Sequence, residues 1–115
     1  MSYQWNVYLA VLDPVRGSEQ AGRRPVLVVS REHINQVLPV VNVVPLTSLK
    51  SPGRQIYPNE VLLPAGTVGV DKDSIALCYQ IRTLDKSRLI AQLGQVADIR
   101  LRMQIIEALR FQLDI

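Results

Sequence analysis

Cysteine and histidine are almost missing from this chain of 115 residues, which has one of each, Cys78 and His33. A lone cysteine forms no internal disulfide and has no cysteine neighbour at metal spacing, which argues against a disulfide scaffold and a zinc module. One histidine leaves no multi-histidine metal site. Also missing are an apolar run long enough to cross a bilayer and, from Ser2 to Asn6, the basic stretch and apolar core of a leader. The expectation is a cytoplasmic protein with no membrane contact. No internal repeat, low-complexity tract or long linker interrupts the chain. Residues 1–115 therefore read as a single domain, large enough for one real core and too short for two.

Hydrophobic residues at 48% and charged residues at 20% are what a folded, soluble domain requires. The net charge of +3 is a weak global field. The kind of base is more telling: ten of the thirteen basic residues are arginine, the side chain that grips phosphate with a planar fork.

The chain is organised around Asp13 to Ser30. Pro14, Gly17 and Gly22 break regular structure, so Arg16 to Arg24 reads as an exposed loop, and Pro25 opens the apolar run Val26-Leu27-Val28-Val29 of a buried strand. Arg24 stands where the loop meets the strand. Arg16, Arg23 and Arg24 with Glu19 and two glycines make a positive, bendable segment whose backbone N–H groups can approach an anion.

Around it, Tyr3 to Leu12 reads as a first strand and Val26 to Ser30 as a second. A short helix over Arg31 to Val37 with Ser30 as its N-cap comes next, ended by Pro39. Val40 to Leu46 is a third strand that delivers Thr47 and Ser48 at its end. A polar loop with Arg54 leads to a fourth strand from Tyr57 to Leu63, and Ser74 to Ile81 makes a fifth. Thr83-Leu84-Asp85 is expected to cap a single helical turn through Arg88, with Arg82 paired to Asp85. Leu89 to Val96 is a last short strand. Short strands with turns between them predict a mainly β fold, a small closed or nearly closed barrel. The end of the chain changes period: Ile99, Met103, Ile106, Leu109 and Leu113 form one helical stripe and Leu101, Ile105 and Ala108 a second beside it. A helix on one sheet needs one stripe, so the second is expected to meet another chain or a deep part of the core.

Four ordered segments carry a resemblance: Asp13-Pro14-x-Arg16-Gly17-Ser18-Glu19-Gln20-x-Gly22-x-Arg24-Pro25, then Val44-Pro45-Leu46-Thr47-Ser48, then Tyr57-Pro58-x-Glu60-Val61, then Gln80-Ile81-Arg82-Thr83-Leu84-Asp85. In order and spacing the chain resembles the MazF/PemK/Kid family of toxin endoribonucleases, from about Val7 to the terminal helix. The resemblance implies an SH3-like β barrel with a C-terminal α-helix, a homodimer, and metal-independent, cofactor-free, sequence-specific cleavage of single-stranded RNA, commonly mRNA. It also implies a cognate antitoxin as partner.

By this likeness Arg24 and Thr47 are the catalytic positions, with Glu19 a loop carboxylate implicated in some members. Ser18, Gln20, Ser48, Arg16, Arg23, Arg54 and Gln80 are the expected RNA contacts. Cleavage by the ribose 2′-hydroxyl needs a proton acceptor, a partner for the extra negative charge and help for the departing 5′-oxygen. Arg24 suits the charge, and Thr47 can donate a hydrogen bond to phosphate from a strand end. Glu19 has three readings: base, salt bridge to Arg16, or antitoxin contact. Some members place an acid just before the Gln80 position, where this chain has Tyr79. An ordinary tyrosine is a poor base at neutral pH, so the proton acceptor is open. A barrel that binds RNA or antitoxin but cuts poorly is the alternative reading.

Overall fold

The computed structural model describes residues 2–115. Seven strands lie in chain order: β1 (Asn6–Val11), β2 (Arg23–Val28), β3 (Val40–Ser48), β4 (Glu60–Leu63), β5 (Ser74–Leu77), β6 (Arg82–Asp85) and β7 (Leu89–Gln95). A short helix, α1 (Glu32–Val37), links β2 to β3, and a longer one, α2 (Ile99–Leu113), ends the chain. The hydrogen-bonded order is β4-β5-β3-β2-β1-β7, with β6 also on β3. β4 and β7 do not pair, so the sheet bends round a core without closing, and the expected barrel is an open one.

The spine is β3. Along one edge its first half pairs with β6, from Val40↔Asp85 to Val43↔Arg82, and its second half with β5, from Leu46↔Ala76 to Ser48↔Ser74. Its other edge takes β2. A nine-residue strand with neighbours on both sides is buried on both faces, which is why Val40-Val41-Asn42-Val43-Val44 is nearly continuous in apolar residues. Alternate residues serve two cores. Val7, Leu27, Val44 and Leu46 point into the one that α2 covers with Ile105 and Ala108, while Tyr8, Val26, Val28, Val43 and Leu84 fill the other.

Several boundaries depart from the sequence reading. The fifth strand stops at Leu77, a 3₁₀ turn over Cys78–Gln80 follows, and Arg82–Asp85 is a strand rather than part of a turn. Only Leu84 of β6 is fully buried, so no apolar alternation marks it; the unpaired edge of β3 makes it extended. A 3₁₀ turn over Lys86–Arg88 does form, capped by Asp85, which accepts from the Ser87 N–H. Asp85 is therefore not the partner of Arg82. The N-cap of α1 is Arg31 rather than Ser30, whose hydroxyl instead donates to Asn35 and accepts from the Asn42 N–H.

The two stripes of α2 are both present with their roles settled. The second stripe is the inner one: Ile105 and Ala108 are fully buried and Leu101 packs against them. Of the first stripe Leu109 also packs against that core and Ile106 is half-buried, while Ile99, Met103 and Leu113 are exposed. Trp5 holds the opening of β1 against the core. Its backbone is left-handed, φ 67°, bonded to both Val28 and Val96, and its indole lies under the Arg102 guanidinium. A bulky residue there is strained, and packing on both sides holds it in place.

Candidate active site

Pro25 and Pro45 carry no N–H, and the β2–β3 ladder ends at Val26↔Pro45. Continuing that register two residues, 26 − 2 against 45 + 2, puts Arg24 opposite Thr47. Beyond the last pair a cavity of about 340 Å³ opens. Arg24, Thr47 and Ser48 line it together with Asp71, Lys72 and Ser74, the last paired directly across the strands with Ser48. Arg24 is half-buried, and its Nε donates to the Ala21 carbonyl at 3.2 Å. That bond aims the stem and leaves both terminal nitrogens without a hydrogen bond or ion pair among the described residues. Thr47 is held by pairing to Ile75 in β5, so its hydroxyl stands on a strand that barely moves.

The loop carboxylate lies elsewhere. Ser18, Glu19 and Gln20 line a second depression, of about 380 Å³, with Pro45, Tyr79 and Gln80. Glu19 accepts from the Arg16 backbone N–H, and its own N–H donates to the Arg16 carbonyl. It closes a turn and forms no salt bridge with the Arg16 guanidinium. The Gln80 side chain accepts from the Gln20 N–H at 2.9 Å and donates to the Ser18 carbonyl at 3.3 Å. At the base of the loop, the Leu12 N–H donates to Gly22 and the Asp13 carboxylate accepts from the Gly22 N–H. Gly22 and Gly17 have φ of 72° and 55°, which glycine adopts at no steric cost. Arg82 donates to the Leu12 carbonyl, and Arg88 to those of Val11 and Asp13. These two arginines fasten the stem of the loop, a role the sequence reading did not assign.

Arg54 stands apart from both cavities in a bidentate pair with Glu60, Nη1 to Oε1 at 2.9 Å and Nη2 to Oε2 at 2.8 Å. The hydrogen bonds from Arg54 hold the Glu60 carboxyl below its ordinary range against the opposing pull of burial. Glu60 in return raises the guanidinium. Arg16 is exposed on the loop, whereas Arg23, also exposed, and Arg24 open β2 opposite Val11 and Ala10, so the loop is shorter than the expected Arg16 to Arg24 because β1 offers those two residues an edge. Cys78 is buried behind Glu60, and burial, then that charge, pushes its thiol up to about 12. Such a thiol is inert as a nucleophile.

The structure thus brings Arg24, Thr47 and Ser48 together and sets Ser18, Glu19, Gln20 and Gln80 in the adjoining depression. Asp71, Lys72 and Ser74 belong to the first cavity and were missed from sequence. Their only local signal was a charged turn after Gly69. What seats them is long-range: Gly69 and Gly94 touch backbone to backbone, and a Cβ on Gly69 would lie 2.2 Å from the Leu93 carbonyl oxygen.

Comparison with known proteins gives the same picture. The chain is 38% identical over 102 residues to Endoribonuclease MazF of Staphylococcus saprophyticus, covering 89% of this chain and 83% of that one. The crystal structure of MazF from Deinococcus radiodurans superposes with a TM-score of 0.80 at 32% identity, covering 98% and 96% of the two chains. A mycobacterial endoribonuclease in complex with its cognate antitoxin superposes with a TM-score of 0.80 at 24% identity, over 100% and 97% of the chains, and shows the shared fold. Residues 3–113 match the family described as PemK-like, MazF-like toxin of type II toxin-antitoxin system, and the chain belongs to that family.

Proposed function

We propose that this chain is the toxin of a type II toxin–antitoxin pair, an endoribonuclease that cuts single-stranded RNA, including mRNA, by attack of a ribose 2′-hydroxyl on the adjacent phosphate. The observation that carries this is the cavity lined by both Arg24 and Thr47, to which they bring a guanidinium whose terminal nitrogens have no partner among the described residues and a hydroxyl with none. A scissile phosphate seated there receives a forked, charged donor from Arg24 and one O–H donor from Thr47 or Ser48. Both groups are aimed before substrate arrives, so they stabilise the charge that builds on the phosphoryl oxygens at little cost in reorganisation. The demand for a 2′-hydroxyl makes RNA, and not DNA, the substrate.

The loop that begins at Arg16, with Arg23 and Arg24 at the start of β2, is read as the RNA-facing wall. Exposed Arg16 and Arg23 supply backbone attraction, and Ser18, Gln20 and Gln80 give it a fixed shape. Glu19 acts in this reading through the turn it closes. The family brings an antitoxin as partner; an acidic, extended segment of it would compete for the same loop arginines. The exposed apolar stripe of α2, with Met103 and Phe111, is the face read as serving self-association, and a cytoplasmic location suits a protein whose substrate is mRNA.

Purified protein incubated with single-stranded RNA in excess EDTA should yield fragments ending in 2′,3′-cyclic phosphate. Arg24→Ala and Thr47→Ala should lose that activity while keeping the wild-type circular dichroism spectrum. RNA that is bound with steep salt dependence and left whole would overturn the enzyme reading and leave a binding module.

A further inference from the structure

The carboxylates sort by what they touch. Asp13, Glu19, Asp73 and Asp98 accept from backbone N–H groups, Asp85 from Ser87, and Glu32 from Tyr3 and Gln4. Glu60 is paired with Arg54, and Glu107 with Arg110. Of the ten acidic residues only Asp71 and Asp114 have no hydrogen bond or ion pair among the described residues, and of those two only Asp71 lines the cavity of Arg24 and Thr47. Its neighbour Lys72, on the same wall, has an ammonium with no ion pair among the described residues.

The turn that carries them is fixed even though both side chains are free. The Asp73 carboxylate accepts from the Ala65 N–H at 2.8 Å, the Asp73 carbonyl from the Leu49 N–H, and the Lys72 carbonyl from the Ser74 hydroxyl at 2.9 Å. Gly69 lies against Leu93 and Gly94 with no room for a side chain. An unengaged carboxylate and an unengaged ammonium on a braced turn, lining the same cavity as the Arg24 guanidinium, are the two groups that proton transfer needs.

We propose that Asp71 is the proton acceptor and Lys72 the proton donor of the cleavage, which rests on the reading of this cavity as an RNA-cutting site. The 2′-oxygen forms its bond to phosphorus as Asp71 takes the hydroxyl proton. The bond from phosphorus to the 5′-oxygen breaks as Lys72 gives a proton to that oxygen. The products are a 2′,3′-cyclic phosphate and a 5′-hydroxyl, and exchange with water returns the carboxylate and the ammonium to their starting forms. This division asks Arg24 only to hold the phosphate and not to move a proton.

The test is single-turnover cleavage of one RNA oligonucleotide in EDTA by wild type, Asp71→Asn, Asp71→Glu, Lys72→Met and Asp114→Asn. Binding of the same oligonucleotide with a 2′-deoxy sugar at the scissile position is measured in parallel. Asp71→Asn should slow cleavage by about 10²–10⁴-fold with little change in binding, and Asp71→Glu should recover part of the loss. Lys72→Met should slow it comparably, and a substrate with sulfur in place of the bridging 5′-oxygen, which leaves without a proton, should bring it back to within about tenfold of wild type. The same substrate should not rescue Asp71→Asn. Asp114→Asn should match wild type. If wild type cuts and Arg24→Ala does not, yet Asp71→Asn cuts normally or Lys72→Met is not rescued by the sulfur substrate, this assignment is overturned and the nuclease reading stands. If wild type does not cut at all, the nuclease reading itself falls.

Discussion

Two cavities lie side by side along β3, and they differ in how far their polar groups are already engaged. In the depression under the loop that begins at Arg16, Glu19 and Gln80 are bonded to backbone, while the Gln20 Oε1 is buried without a partner among the described residues. In the cavity a few residues along the same strand, the Arg24 terminal nitrogens, the Thr47 hydroxyl, Asp71 and Lys72 have no partner among the described residues. A polar group already bonded holds shape, whereas an aimed but unbonded one is ready for substrate. Nearness to a cavity does not separate the two; what each donor and acceptor is already doing does.

The contrast breaks most visibly at Arg24. Replacing it by alanine removes the charged donor from one cavity and nothing from the other, so cleavage should fall by about 10³-fold, roughly 4 kcal/mol of transition-state stabilisation, with the melting temperature nearly unchanged. Kinetics and calorimetry on one preparation check both halves. Next in size is Gly69→Ala. Its φ is +91° and the new Cβ would sit 2.2 Å from the Leu93 carbonyl oxygen, so the turn bearing Asp71 and Lys72 must move. About 3 kcal/mol of stability should be lost, seen as a lower denaturant midpoint, and activity should drop with it.

Gln80→Ala sharpens the comparison from the other side. It strands the Gln20 N–H and the Ser18 carbonyl, which should cost about 1–2 kcal/mol, a fall of about 4 °C in melting temperature per kcal/mol. Cleavage in the neighbouring cavity should weaken less than with Arg24→Ala; an equal loss would merge the two cavities into one functional unit. The smallest effect is expected far from both, at Glu32. Burial pushes its carboxyl up, but hydrogen bonds from the Gln4 N–H, the Gln36 side chain, the Tyr3 N–H and Asn35 outweigh it and bring it down to about 2. A depressed carboxyl adds stability above its unfolded value and loses it as pH falls, here from about 4.3 towards 2. The protection factors of the Tyr3 and Gln4 amides, exchange rates divided into the intrinsic rate at each pH, should therefore fall across that window in wild type and be low at every pH in Glu32→Gln.

What the chain declared about itself follows physical range. Strands whose residues are buried on both faces, such as Val26 to Val28 and Val40 to Val44, were legible because apolar runs are local. β6 was not, since Arg82-Thr83-Leu84-Asp85 is extended only because β3 offers it an edge. Two helical stripes could be counted in α2, but which one faces inward depends on the sheet beneath, and Ile105 with Ala108 took that place over the longer stripe. Arg24 and Thr47 were singled out by the family resemblance and by lying near strand ends, and the fold brings both to one cavity. Asp71 and Lys72 were not, because the turn that brings them to the cavity of Arg24 is seated by a contact between Gly69 and residues 93 and 94, beyond the reach of any short motif.

The single tryptophan has a practical consequence. Trp5 is wedged between the sheet and the first turns of α2, under a cationic side chain that the helix itself carries. Any event that lifts the helix off the sheet changes both the polarity and the charge beside the indole. Its emission wavelength therefore reports the seating of α2 with no label added, from a position outside the cavity of Arg24 and Thr47.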